Sequence, residues 1–159
     1  MNDDAVSGRL WHATHGQGQY RVEARGILIG NELMVAVYGG TKPHIGAVAI
    51  AIPRPSLQDP NITSATSSVF TLVGHKDDVI ARRVAEELAS SLNRIVVVVA
   101  GVHIDDATDT DVERLIAASN ECVRSFLCQV HPFLAEGRAQ SRASLLSLKH
   151  SPLCPRQGE

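Results

Sequence analysis

Apolar residues recur along this chain at two periods, and the switch between them divides the sequence. In "QYRVEARGILIGNELMVAVYGG", Tyr20, Val22 and Ala24 alternate with Arg21, Glu23 and Arg25, the period of two that marks a half-exposed strand. Gly30-Asn31 signals a turn and Leu33 to Tyr38 a second strand, so the stretch predicts a hairpin. "IGAVAIAI" predicts a third strand, ended by Pro53 and Pro55. A long turn-rich loop, "PRPSLQDPNITSATSS", and a short fourth strand, "SVFTLV", follow, and that strand stops at Gly74.

From Asp77 the period becomes helical. Ile80, Ala81, Val84, Ala85, Leu88 and Leu92 form one face, Arg82, Arg83, Glu86 and Glu87 the other, and Asn93 ends the helix. "RIVVVVAGV" is apolar throughout, as in a strand of a sheet interior. A long second helix carries an apolar stripe from Val112 to Val130. Thr110 with Glu113 makes a capping-box pattern at its start, Thr108 competes as the cap, and Pro132 marks its end. Beyond Pro132 there is no sustained periodicity, which predicts a frayed tail with one short helix at Arg142 to Lys149.

The order β-β-β-β-α-β-α predicts an α+β fold: a mainly antiparallel sheet of five or six strands with the helices packed on one face. Residues 20–131 read as a single ligand-binding domain, residues 1–19 as an N-terminal segment and 132–159 as a flexible C-terminal tail. The open sheet face, or its edge strand, is a natural surface for a homodimer.

Composition narrows the function classes. Of 159 residues, aromatics make up only 4%, too few for a platform that stacks single-stranded bases, and the net charge of −2 gives no reason to expect a nucleic-acid partner. No apolar run approaches the ~18 residues of a membrane span, and the acidic start "MNDDAVSGRL" lacks the apolar core of a signal peptide. A cytoplasmic protein is expected. Cys122, Cys128 and Cys154 show no CxxC spacing, and Cys122 falls in the helical stripe as a buried thiol.

Three stretches put histidines where strands stop. In "YGGTKPHIGAV", Gly39, Gly40 and Pro43 suit a tight turn, but a turn does not require Lys42 or His44. The pair of glycines would let a ligand approach bare backbone N–H groups, with Lys42 and His44 adding charge for an anion. "GHKDD" lies at a helix entry, where the helix dipole attracts anions; His75 and Lys76 are either contacts there or solvated loop residues, and Asp77 or Asp78 a simple cap. In "AGVHIDDAT", His103 and Asp105 alternate along an extended chain and so face one side. A metal site from His44, His75, His103 and Asp105 is the weaker alternative, because no HxH or HExxH spacing supports it. Neither GxGxxG, nor a P-loop, nor a GxSxG elbow occurs, and nothing pairs the histidines with a nucleophile. The residues alone reach a small α+β domain with an anionic-ligand pocket.

In this order, "GGTKPHIG", "HKDD" and "AGVHIDDAT" resemble the LpdD family, small proteins associated with UbiD-type decarboxylases, including gallate decarboxylase systems. The resemblance spans Tyr20 to His131 and implies a chaperone that holds prenylated flavin mononucleotide (FMN) and assists its delivery to, or maturation in, a UbiD-like decarboxylase. Plain FMN is a second candidate ligand. It further implies cofactor contacts from Gly39, Gly40, Lys42, His44, His75, Lys76, His103 and Asp105, with no catalytic residue and no metal. The alternatives are a catalytic or accessory subunit of an aromatic acid decarboxylase, and an assembly factor that needs no flavin.

Overall fold

The computed structural model describes residues 8–72 and 77–148, with side chains as far as Leu134. Six strands form one mixed, mostly antiparallel sheet: β1 (Leu10–His15), β2 (Val22–Ile29), β3 (Glu32–Gly40), β4 (Ala47–Pro55), β5 (Thr63–Thr71) and β6 (Val96–His103). Helix α1 (Asp78–Leu92) links β5 to β6, and α2 (Asp109–Leu148) follows β6. The spatial order is β1-β2-β3-β6-β4-β5, and only β3 and β6 run parallel. The fold class is the α+β sheet that the periodicity predicts, with the order β-β-β-β-β-α-β-α.

Strand register explains why one face is covered. Ala13, Ala24, Val37, Ala100 and Ala47 lie in one row across five strands, and all are buried. Small side chains in that row let α2 close on β1 and β2 while α1 closes on β4, β5 and β6. One row further, Gly26 leaves room for the Phe126 ring, which a Cβ there would strike. Cys122 sits buried against the Ala13 and Val22 carbonyls; burial pushes its thiol up to about 11, so it stays protonated and packs as a small apolar group.

Four local expectations need correction. A strand precedes Tyr20: β1 pairs with β2 and buries Trp11 and Ala13. The prolines do not end β4. Ser56 N–H donates to the Ile62 carbonyl, so the even-numbered amides of β4 face β5, and the missing amides of Pro53 and Pro55 face the side where β6 pairing has ended at Ala51. The region read as one long loop is therefore mostly strand, with a connection of residues 56–62 only. Asn93 does end α1, in the left-handed conformation with φ of 49°. For α2 the cap is Thr108: its hydroxyl accepts from Asp111 N–H while the Asp111 carboxylate accepts from Thr108 N–H. Helix α2 also runs through Pro132 to Leu148. One intrahelical hydrogen bond is lost there, but Phe133 packs edge-on against Trp11 at 5.6 Å and Leu134 is buried, so tertiary packing carries the helix past the proline. Residues 149–159 lie outside the described residues.

The Asp111 cap makes a pH prediction. Hydrogen bonds from Thr108 and then Tyr20, whose hydroxyl donates at 2.5 Å, lower the carboxyl to about 2. A folded value below the unfolded 3.8 means that the contribution is complete above about pH 4 and disappears as pH falls through 2. The Asp111 carboxyl carbon should titrate near pH 2 by NMR, and Tyr20→Phe should move that midpoint upward. An unchanged midpoint in the variant would remove Tyr20 from the cap.

Candidate functional site at the carboxyl end of β3 and β6

Because β3 and β6 run parallel, their carboxyl ends coincide, and Gly40 pairs with His103. After Gly40 the chain folds across the end of β6. Thr41 N–H and Lys42 N–H donate to the His103 carbonyl at 2.7 and 3.3 Å, Gly46 N–H to the Ala100 carbonyl at 2.9 Å, and Gly40 N–H to the Arg21 carbonyl at 3.1 Å. Gly40 has φ of 82°, and a Cβ there would run into the His103 carbonyl; a Cβ on Gly101 would run into the His44 carbonyl. Loop and strand thus touch backbone to backbone. The Thr41, Lys42 and Gly46 amides are used in holding this contact.

The side chains here form two linked polar pairs, His44 with Asp77 and Lys42 with Asp105. Asp77, only 5% exposed, accepts Val102 N–H at 2.9 Å with one carboxylate oxygen and faces His44 Nε2 at 3.1 Å with the other. His44 Nδ1 lies 3.1 Å from the Lys42 carbonyl. Both ring nitrogens therefore face acceptors, and each contact is a hydrogen bond only while that nitrogen carries its proton. The His103 ring meets His44 edge-on, with centroids 5.8 Å apart, and its Nε2 lies 3.1 Å from Asp105. Lys42 Nζ pairs with Asp105 at 2.7 Å, and this ammonium, ahead of His103, holds the Asp105 carboxyl below its usual range. Among the described residues no three His, Cys, Asp or Glu side chains converge as a metal ligand set.

Below this cluster, on the face that the helices leave open, lies a cavity of about 570 Å³. Ala36 and Val99 are the small side chains of its floor, Pro43, His44 and Ile45 form one wall, and Ile27 and Met34 the opposite one. Tyr38 and Arg25 line its side. Tyr38 donates to Glu23 at 3.1 Å; burial and that carboxylate push its hydroxyl above the ordinary value, so it remains a donor. Burial alone would raise Glu23, but hydrogen bonds from Arg25, Tyr38 and His12 outweigh it and bring the carboxyl below 4.5. Ile50, Ile52 and Phe70 extend the apolar surface across β4 and β5, with exposures of 42%, 53% and 73%. No described helix is long and apolar enough to cross a membrane.

Residues 16–131 match the family described as the prenylated flavin chaperone LpdD-like domain, well over half of the chain. The chain belongs to that family. It is 27% identical over 125 residues to protein LpdD of Lactiplantibacillus plantarum, a match covering 77% of this chain and 88% of that protein. A chain from a crystal structure of a chaperone complex for yeast 20S proteasome assembly superimposes with a TM-score of 0.48 at 9% identity, covering 74% of this chain and 98% of that one.

Of the residues that the LpdD resemblance singled out, the structure brings Gly40, Lys42, His44, His103 and Asp105 together at one strand end. Gly39 lies on the helix-covered face, where a Cβ would strike the Arg21 carbonyl. His75 and Lys76 lie outside the described residues. Sequence reasoning passed over Asp77, which reads as a helix cap. Its side chain makes no capping hydrogen bond and turns to Val102 and His44 instead. It also passed over Gly46 and Gly101, where a Cβ would meet the Asp77 carboxylate and the His44 carbonyl. Glycines inside strand-like runs are the signal of such close approach.

Proposed function

We propose that this chain is a carrier: it holds prenylated FMN in the open-face cavity and hands it to a UbiD-type decarboxylase, without turnover of its own. The observation that carries this reading is the cavity itself. Its floor of Ala36 and Val99 between larger walls suits a flat apolar ring, and its size lies within the range of ~300–1,000 Å³ typical of ligand sites. Its polar lining residues are Arg25, Tyr38 and His44, and with Lys42, His103 and Asp105 beside His44 they suit the hydrophilic parts of the ligand. The lining favours holding over chemistry. Among the described residues it contains no cysteine, serine, lysine or carboxylate, the Tyr38 hydroxyl is a donor, and both His44 nitrogens face acceptors.

Family membership supports the ligand class and a protein partner, since a chaperone acts on something else. Exposed Ile50, Ile52 and Phe70 beside the cavity support a homodimer in which a second copy covers the ring from above. Sedimentation of the full 17.1 kDa chain should then give twice its mass, and Ile52→Lys should give the monomer. A monomeric wild type would remove the second copy from the proposal.

Anaerobic titration of the full chain with prenylated FMN, and separately with FMN, tests the carrier reading. Saturable binding that prefers the prenylated form, followed by activation of an apo-decarboxylase, is expected. Absence of binding to either flavin overturns it. Normal binding with a lost intrinsic rate in a His44→Gln variant would move the chain to the enzymes.

A further inference from the structure

The two ends of the cavity differ in charge. At the loop end two carboxylates serve three basic groups: Asp105 faces Lys42 and His103, and Asp77 faces His44. At the β1–β2 side one carboxylate serves three basic groups. Glu23 binds Arg21 through one oxygen at 3.0 Å, and Arg25 at 3.1 Å and His12 at 3.0 Å through the other. Tyr38 also donates to that second oxygen. Both carboxylate oxygens are thus engaged, three of the contacts falling on one of them.

The guanidinium groups are not saturated. Each has five N–H donors, and the Glu23 contact uses one nitrogen of each. Their side chains are 56% and 60% exposed, while that of Glu23 is 18% exposed. A nearly buried carboxylate therefore holds two exposed guanidiniums in place, with a positive remainder facing outward, and Arg25 lines the cavity.

From this geometry we infer that Arg21 and Arg25, positioned by Glu23, form an anion subsite for a phosphomonoester; resting on the carrier reading, it takes the phosphate end of the flavin. A dianionic phosphate accepts in the bidentate manner that guanidinium favours. Distance agrees. Arg25 and Val99 occupy one row on β2 and β6, two strand spacings apart, or ~10 Å, a span that a ribityl chain bridges. The ring then lies over Ala36 and Val99 with its polar edge toward His44 and His103, and the phosphate points away from the histidine loop.

The test compares prenylated FMN with its dephosphorylated form in anaerobic titrations of the full wild-type chain and of Arg21→Gln, Arg25→Gln and the double variant. For wild type the phosphate should improve affinity, and added salt should reduce that advantage. Each single variant should lower the ratio of the two affinities roughly tenfold, and the double variant should bring it near one. Arg82→Gln, on the exposed face of α1 and away from the cavity, should leave the ratio within about threefold of wild type. A double variant that keeps the full phosphate advantage overturns the subsite while the carrier reading stands. A wild type that binds neither form removes both. Thermal melts of the variants separate misfolding from lost binding, and Arg→Lys replacement, which restores charge without the fork, should rescue only part of the ratio.

Discussion

Replacing Asp77 by alanine is expected to destabilise the fold by about 2–4 kcal/mol, among the largest effects of any single change in the site. The carboxylate is buried and holds two donors from different segments, Val102 N–H of β6 and the His44 ring of the loop. Alanine leaves both without this acceptor in a place where water has little access, and each unsatisfied buried donor costs about 1–3 kcal/mol. For a chain of this length 1 kcal/mol moves the midpoint of thermal unfolding by about 2–4 °C, so a loss of roughly 5–12 °C is expected. Asn in place of Asp77 keeps an acceptor for Val102 and should lose about half as much. A change below about 2 °C for Asp77→Ala would show that the carboxylate does not tie the loop to the sheet. Flavin binding should weaken in the same variant, because the His44 wall of the cavity is released.

The sheet was largely legible because its strands alternate. Val22, Ala24 and Leu28 on β2, and Leu33, Val35 and Val37 on β3, point inward at every second position. What the period could not reveal is that the other face would also be apolar and remain uncovered. Along "AVAIAI" both faces of β4 carry aliphatic side chains, so Ile50 and Ile52 look like core in the sequence, yet they stand exposed. Edge strands were the harder case. In "LWHATH" only Trp11 and Ala13 face the helices, while His12 and Thr14 lie on the open face, and so short an alternation carries little signal.

The candidate site was legible as three histidine-bearing stretches, and the parallel pairing of β3 with β6 is what brings two of them together. Long-range pairing of this kind leaves no local mark. The same holds for Asp77: an acidic residue before a helix is the normal cap, and only the neighbouring end of β6 turns its carboxylate to another use. The Arg21, Glu23 and Arg25 alternation was read as the solvated side of a strand, which it is. Its convergence on a single carboxylate beside a cavity needed coordinates.

Gly40→Ala should be the other severe substitution, for two independent reasons that act on the same peptide. With φ of 82° the backbone lies where L-residues pay roughly 1–2 kcal/mol. The added methyl would also point into the His103 carbonyl, a backbone atom that cannot swing aside like the end of a flexible side chain. Overpacking of this kind costs about 1–3 kcal/mol, so the sum is roughly 2–5 kcal/mol unless the loop lifts away. Lifting is the alternative response, and it moves the loop off the carbonyl that accepts from Thr41 and Lys42 N–H. Relief would break both hydrogen bonds, part Lys42 from Asp105 and withdraw the Pro43 wall from the cavity. Hydrogen exchange at the Thr41 and Lys42 amides should therefore accelerate far more than at the β2–β3 hairpin amides, and affinity for prenylated FMN should fall at least tenfold. Uniform acceleration across the sheet would instead mean that Gly40 supports the whole fold. Unchanged exchange at both amides would show that the loop tolerates the methyl, and that the backbone contact between loop and β6 does not shape the site.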